Sequence, residues 1–191
     1  MITGLVLAAG AGTRFGDGEN KLLADVGGRP VLERAVAAAC AVPALERVLV
    51  VLGARSAQLR ARVDFDRAET TVCPDWADGQ SASLRCGLRV LAGADKVIVT
   101  LGDAPLVTPQ AIARFVDEPG RTRAVYGGRP GHPVVLGPDE IAAALTLSGD
   151  RGAQELLRGG RTIEAGHLCS GRDIDTPDDL EAVRDEARAV I

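Results

Sequence analysis

Short apolar runs alternate with helix-patterned segments along the whole chain, and this alternation restricts the fold more than any single residue does. Ile2–Ala8, Arg47–Leu52 and Lys96–Leu101 are nearly continuous apolar runs of strand length, the mark of strands buried on both faces. Residues 30–42 are Ala-rich and open with a Pro suited to a first helical position, residues 56–63 read as helix, and residues 80–91 place apolar side chains at 84, 88 and 91 on one helical stripe. Residues 69–73 are β-rich. Residues 108–118 begin with a Thr cap followed by Pro, and residues 138–145 and 153–157 also carry helical patterns. Residues 123–126 and 133–136 flank a Gly-rich loop and are expected to pair as strands. Residues 176–189 open with Thr-Pro-Asp-Asp, a cap with acids in the first helical turn. Strands alternating with helices predict an α/β fold with a mainly parallel central sheet. At 191 residues the chain falls within the roughly 100–200 typical of one domain, so residues 1–191 are read as a single domain. Sheets of this kind bind ligands at the carboxyl ends of their strands, near a reversal of strand order, so the residues just past each strand carry the functional question.

Composition narrows the candidates. Acidic residues number 26 against 22 basic ones, which gives a net charge of −4 and argues against a duplex-coating protein. Five aromatic residues are too few for a base-stacking platform, so no nucleic-acid partner is expected. No run approaches the roughly 20 apolar residues of a membrane span, and the N-terminal run lacks a basic leader, so neither a membrane anchor nor a signal peptide is expected. Cys40, Cys73, Cys86 and Cys169 show no paired C-x-x-C spacing and no neighbouring His. They are expected as buried free thiols in a reducing compartment, which points to a cytoplasmic location.

Past the first strand, residues 7–22 read Leu-Ala-Ala-Gly-Ala-Gly-Thr-Arg-Phe-Gly-Asp-Gly-Glu-Asn-Lys-Leu. Glycines at 10, 12, 16 and 18 let backbone N–H groups approach an anion, and Arg14 and Lys21 add two cations. Only two Lys occur in the chain, so Lys21 in a loop is informative. The combination predicts polyphosphate binding, against the alternative of a flexible surface loop. A P-loop is excluded because Phe15 stands where its second Gly belongs. The spacing of Gly10, Gly12 and Gly16 is one residue too wide for the dinucleotide fingerprint. Past the third long strand, Gly102-Asp103-Ala-Pro places a carboxylate where it either holds a hard cation such as Mg²⁺ or caps its own turn. Asp173 and Asp175 alternate about Ile174 and share one face of an extended segment; Asp175 is read as a metal ligand or a loop cap. Asp178 and Asp179 are explained as first-turn helix charges. Residues 76–88 combine Gly79, Ser81, Ser83 and a helix start, suited to nucleoside hydrogen bonds or to simple capping, and Arg85 and Arg89 read as a solvated face. His132, in Gly-His-Pro, is one of two histidines and suits a turn or a wall of a substrate site.

Taken together these segments resemble the MobA-like nucleotidyltransferases, and among them the molybdenum cofactor cytidylyltransferases. The resemblance rests on residues 7–16 with Asn20-Lys-Leu-Leu, Gly79-Gln-Ser-Ala-Ser-Leu-Arg-Cys-Gly-Leu, Leu101-Gly-Asp-Ala-Pro-Leu-Val, Gly131-His-Pro-Val-Val-Leu, Gly149-Asp-Arg-Gly-Ala and Asp173-Ile-Asp-Thr-Pro-Asp-Asp-Leu, six motifs in the family's order. It implies a three-layer, Rossmann-like nucleotidyltransferase fold. It implies that Ala8, Ala9 and Gly10 lie against the base, that Gly12 belongs to the nucleotide loop, and that Gly79 and Ser83 fix the nucleoside. Arg14 and Lys21 would hold the triphosphate, and Asp103 and Asp175 would bind Mg²⁺, with Arg14, Lys21 and Asp103 as the catalytic set. His132 is assigned to the acceptor side. Gln80 stands where the family often has Met, and Gln154 where Arg is common. Leu-Ala-Ala-Gly looks like the cytidylyl branch, whereas guanylyl enzymes tend to carry Leu-Ala-Gly-Gly. The implied reaction is transfer of CMP from CTP to the phosphate of a molybdopterin-type acceptor, with a molybdenum hydroxylase as a further expected partner. Three rivals stand beside it: transfer to another phosphorylated acceptor such as a sugar phosphate, methylerythritol phosphate or phospholactate; a non-catalytic nucleotide-binding partner of a molybdenum hydroxylase; and an NAD(P) oxidoreductase, which the glycine spacing disfavours.

Overall fold

The computed structural model describes residues 1–16, 20–147 and 153–189. Its strands and helices follow the expected alternation. In chain order they are β1 (Ile2–Ala8), β2 (Asp25–Val26), β3 (Arg29–Pro30), α1 (Val31–Cys40), β4 (Arg47–Leu52), α2 (Ser56–Arg62), β5 (Glu69–Val72) and α3 (Gln80–Val90). There follow β6 (Lys96–Leu101), α4 (Pro109–Ala113), β7 (Thr122–Tyr126), β8 (Arg129–Leu136), α5 (Pro138–Ala144), α6 (Ala153–Leu156), β9 (Arg161–Glu164) and α7 (Pro177–Ala189).

Seven strands form one sheet in the order β5-β4-β1-β6-β8-β7-β9. β5, β4, β1 and β6 run parallel, β8 runs antiparallel to both β6 and β7, and β9 returns parallel to β7. The alternation of side chains along a strand sorts the core into two layers. Val6, Val50 and Ile98 face one cluster with Leu32 and Val36 of α1, Ile112 of α4 and Val183 of α7. Leu5, Val51 and Val99 face the other with Leu84 and Leu88 of α3 and Ala144 of α5. Helices therefore cover both faces, and the expected three-layer, mainly parallel architecture is present.

From β1 the chain moves outward through β4 to β5, then crosses to β6 on the opposite side of β1. The reversal puts a crevice at the carboxyl ends of β1 and β6, where α/β sheets of this type hold their ligands.

Three elements depart from the expected pattern. The predicted helix at 108–118 is a short one, Pro109–Ala113, capped by the Thr108 hydroxyl and continued only as turns. A small hairpin, β2 with β3, turns through Gly27 and Gly28, both at positive φ. β9 is an edge strand with only Ile163 partly buried. Gly18 and the Gly149-Asp-Arg-Gly motif lie outside the described residues.

Candidate functional site

A cavity of about 710 Å³ opens at this switch point. It falls within the roughly 300–1,000 Å³ of small-molecule sites. The loop after β1 forms its first wall. Gly12 lies in the left-handed region at φ 65, and its carbonyl accepts the Phe15 N–H at 3.0 Å, closing a short 3₁₀ turn over Thr13–Phe15. Phe15 is buried and anchors the loop to the core. Gly10 faces the cavity with open space where a Cβ would stand, so a ligand can reach its backbone. The Asn20 side chain accepts the Leu22 N–H at 3.1 Å and starts a second 3₁₀ turn that carries Lys21 inward.

Lys21 is the junction of the site. Its Nζ donates to Asp103 Oδ2 at 2.7 Å, to the Ile174 carbonyl at 2.6 Å and to Asp175 Oδ1 at 3.1 Å. Arg14 reaches the other oxygen of Asp175 at 3.0 Å. Cations from the front of the chain and acids from positions 103 and 175 therefore share one pocket. Burial alone would lower the Lys21 pKa; the two carboxylates outweigh it and hold the ammonium above its usual value. Burial raises Asp103 above the usual carboxylate range, against the opposing pull of Lys21.

The acidic segment is held as its spacing foretold. Ile174 is fully buried and its N–H donates to the Asp103 carbonyl at 3.0 Å, while Asp173 and Asp175 on either side both line the cavity. Asp179 does more than charge a helix end. Its Oδ2 accepts the Asp175 N–H at 3.2 Å, the Thr176 N–H at 2.9 Å and the Thr176 hydroxyl at 2.7 Å, fixing the turn that presents Asp175. These bonds, led by the one from the Thr176 hydroxyl, keep its carboxyl below the usual range.

Ala8, Ala9, Gly79 and Ser83 also line the cavity, and so does His132. The residues that the resemblance assigns to the site thus line one cavity, whereas Gly16 and Ser81 are not in its lining and Gly18 lies outside the described residues. Burial and the charge of Arg123 push the His132 ring down to about 4, so it is neutral at physiological pH. Arg85, by contrast, is not part of a solvated face: its guanidinium donates to the Ser81 hydroxyl at 3.0 Å and to the Leu147 carbonyl. The four cysteines are free, but only Cys40 and Cys73 are buried; Cys86, on α3, and Cys169, in the loop between β9 and α7, are half-exposed.

Gly53, at the end of β4, interlocks two walls. A Cβ there would stand 2.5 Å from the Ala9 carbonyl oxygen and 2.7 Å from Cβ and Cγ of Trp76, which itself lines the cavity. Gly53→Ala is expected to lower stability by about 1–3 kcal/mol and to distort this wall of the cavity, because the backbone at Ala9 cannot yield cheaply. Thermal unfolding checks this, and an unchanged midpoint would contradict the interlock.

Sequence reasoning missed Arg123, a third cation on the cavity wall, and the role of Tyr126 beneath it. The Tyr126 hydroxyl donates to the His132 carbonyl at 2.6 Å. Its ring edge lies where a Cβ on Gly131 or Gly171 would have to go. Among the described residues three cations (Arg14, Lys21, Arg123) and three acids (Asp103, Asp173, Asp175) line the cavity, a mixture suited to both phosphates and a metal ion.

The donor set fits a hard divalent cation. Asp103 and Asp175 already hold one positive charge between them, and both offer oxygen ligands. Among the described residues no group of three His, Cys, Asp or Glu could hold a metal unaided. An ion held by Asp103 and Asp175 would take its remaining ligands from substrate phosphates and water. Among the described residues no helix is long and apolar enough to cross a membrane.

A model of the MobA-like NTP transferase domain matches residues 4–166. The nicotine blue oxidoreductase of Paenarthrobacter nicotinovorans is 32% identical over 194 residues, spanning 94% of each chain. Among solved structures, the homologue of Mycobacterium tuberculosis Rv0371c from Mycobacterium sp. strain JC1 superposes with a TM-score of 0.87 at 27% identity, covering 100% of this chain and 98% of its own. Rv0371c of Mycobacterium tuberculosis H37Rv in complex with manganese gives 0.79 at 27% identity, covering 96% and 98%.

Proposed function

The chain belongs to the MobA-like NTP transferase family, and on that premise we propose that it transfers CMP from CTP to the phosphate of a molybdopterin-type acceptor, releasing pyrophosphate. The observation that supports this most is the meeting of Lys21 with Asp103 and Asp175 beside the glycine loop. In the proposed reaction an acceptor phosphate oxygen attacks the α-phosphorus of CTP. The bond from that phosphorus to the bridging oxygen breaks, and pyrophosphate leaves with the electron pair. The nucleophile is already ionised, so no general base is required.

Both reactants are anions, and charge is the central obstacle. Lys21 meets charge that grows at the α-phosphorus, and Arg14 meets charge on the departing pyrophosphate. Mg²⁺ held by Asp103 and Asp175 would neutralise phosphate charge and favour in-line geometry. Ala8, Ala9 and Gly10 form the wall against the base, and Gly79 and Ser83, which line the same cavity, fix the nucleoside. The Ala9 carbonyl is tied to the Ala54 N–H at 3.1 Å, which fixes the backbone of this wall, and the preference for CTP rests on the resemblance of Leu-Ala-Ala-Gly to the cytidylyl branch. His132 lies on the acceptor side, and a molybdenum hydroxylase is the proposed recipient of the product.

A thermal-shift panel of CTP, GTP, ATP and UTP with Mg²⁺ tests the nucleotide. CTP at 100 times its dissociation constant stabilises by about 2.7 kcal/mol, a shift of several degrees, while the other three are expected to give little. A shift with GTP alone would overturn the cytidylyl reading. Pyrophosphate release with CTP and molybdopterin tests the acceptor, and a sugar phosphate, methylerythritol phosphate or phospholactate that turns over in its place would reassign it.

The relative named nicotine blue oxidoreductase favours a second reading, a reductase acting through a nicotinamide cofactor. The paired acids beside Lys21 have no task in hydride transfer, which supports the nucleotidyl reading. Oxidation of NADPH by the purified protein, without nucleotide-dependent pyrophosphate release, would reverse the ranking.

A further inference from the structure

Among the described residues that line the cavity, Arg123 is a cation to which the proposed reaction gives no task. Arg123 projects from β7 and His132 from β8, and both line the cavity. The register pairs Arg123 with Val134, two residues along β8 from His132. The register shifts between this pair and the pair of Val125 with Pro130, so His132 sits in an irregular stretch of β8; it is the shared cavity wall and the charge of Arg123 felt at the His132 ring that place the two side chains together. Their position along the sheet matters as much as their chemistry. The base wall stands at the ends of β1 and β4 and the start of α3, and Asp103 stands just past β6. β8 and β7 come next, on the far side of β6 from the base. Whatever meets the nucleotide's phosphates from the other direction passes over Arg123 and His132.

We propose that Arg123 and His132 form the seat for the acceptor's phosphate monoester, which makes this end of the cavity selective for a phosphorylated nucleophile over an alcohol. The inference deepens the nucleotidyl-transfer reading and rests on it. A guanidinium presents a planar fork of donors that matches a phosphate, and its charge offsets one that Lys21 and Arg14, engaged with the triphosphate, cannot. A neutral imidazole adds a donor without adding repulsion to the nearby guanidinium. The seat is also stiff. Arg123 stands on a strand paired on both sides, and the Tyr126 hydroxyl holds the His132 carbonyl. Tyr126 also backs Gly131 and Gly171, which both line the cavity. Little reorganisation is then needed when the second anion arrives.

The test uses the full chain saturated with Mg²⁺ and α,β-methylene-CTP, which cannot transfer CMP, and titrates inorganic phosphate by calorimetry. Wild-type protein is expected to bind one further phosphate. Arg123→Gln is expected to weaken that binding about tenfold or more, since a hydrogen bond to a charged group is worth roughly 1.5–3 kcal/mol. Arg123→Lys keeps the charge but not the fork and is expected to fall between the two; it carries the comparison if the Gln variant does not fold. Nucleotide affinity stays the same in both. In turnover the KM for the acceptor rises and the KM for CTP does not. Equal phosphate binding in wild type and folded variants, or none in a wild type that binds nucleotide, overturns the seat while leaving nucleotidyl transfer standing. A wild type that binds no nucleotide overturns the reaction itself, and the seat with it.

Discussion

Lys21→Ala lowers kcat for pyrophosphate release by on the order of 10²–10³, the usual consequence of deleting one charge-stabilising group from a polar active site. The same change is felt in the ligand-free protein. Removing the ammonium leaves Asp103 and Asp175 facing each other, and breaking a buried pair in this way costs a few kcal/mol. Asp103 limits the loss by taking up a proton, which its burial already favours. Circular dichroism and thermal unfolding separate a folded, inactive variant from an unfolded one. Lys21→Gln keeps most of the side chain and a donor amide without the charge, and serves as the folded comparison. Near-wild-type turnover in either variant would remove Lys21 from the chemistry.

Asp103→Asn has an effect of similar size for a different reason. The carboxamide keeps the shape of the side chain and one oxygen, but loses the charge that attracts a hard cation. Metal assistance is worth several kcal/mol, and each 1.36 kcal/mol is a factor of ten, so turnover falls by on the order of 10²–10³. The concentration of Mg²⁺ needed for half-maximal rate rises, and chelation with EDTA silences the wild type. Asp175→Asn falls less far, because Asp175 is more exposed and divides its two oxygens between Lys21 and Arg14. Asp178→Asn, in the exposed first turn of α7, leaves the rate unchanged. An Asp103→Asn enzyme with wild-type turnover and wild-type metal dependence would end the metal role.

The parts of the molecule that could be read in advance are those with a local cause. β1, β4 and β6 announce themselves as apolar runs because they are buried on both faces, and α3 through the stripe that carries Leu84 and Leu88. The pairing of Asp173 with Asp175 was visible because an extended chain alternates its side chains and Ile174 between them belongs in a core. β9 escaped because an edge strand needs no apolar face, and its Arg-Thr-Ile-Glu has only one apolar member. The β2–β3 hairpin did leave a signal, the Gly27-Gly28 pair, which the helix prediction beginning at Pro30 eclipsed. Arg123 left none. It becomes a cavity residue only because β8 reverses direction and carries β7 into the sheet beyond β6, a fact of tertiary pairing that no window of sequence contains. Asp179 was underrated for a related reason: its first-turn position explained its charge so completely that its bonds to Asp175 and Thr176 went unsuspected.

Tyr126 carries an implication for how this family can drift. Its ring edge fills the space that a side chain on either Gly131 or Gly171 would claim, although the two glycines are forty residues apart. Neither position can acquire even a methyl while the ring is there, and losing the ring would leave a void beneath both. The three are therefore bound to change in concert or not at all, and descendants of this chain that accept bulkier acceptors are expected to have exchanged the aromatic and the two glycines as a set.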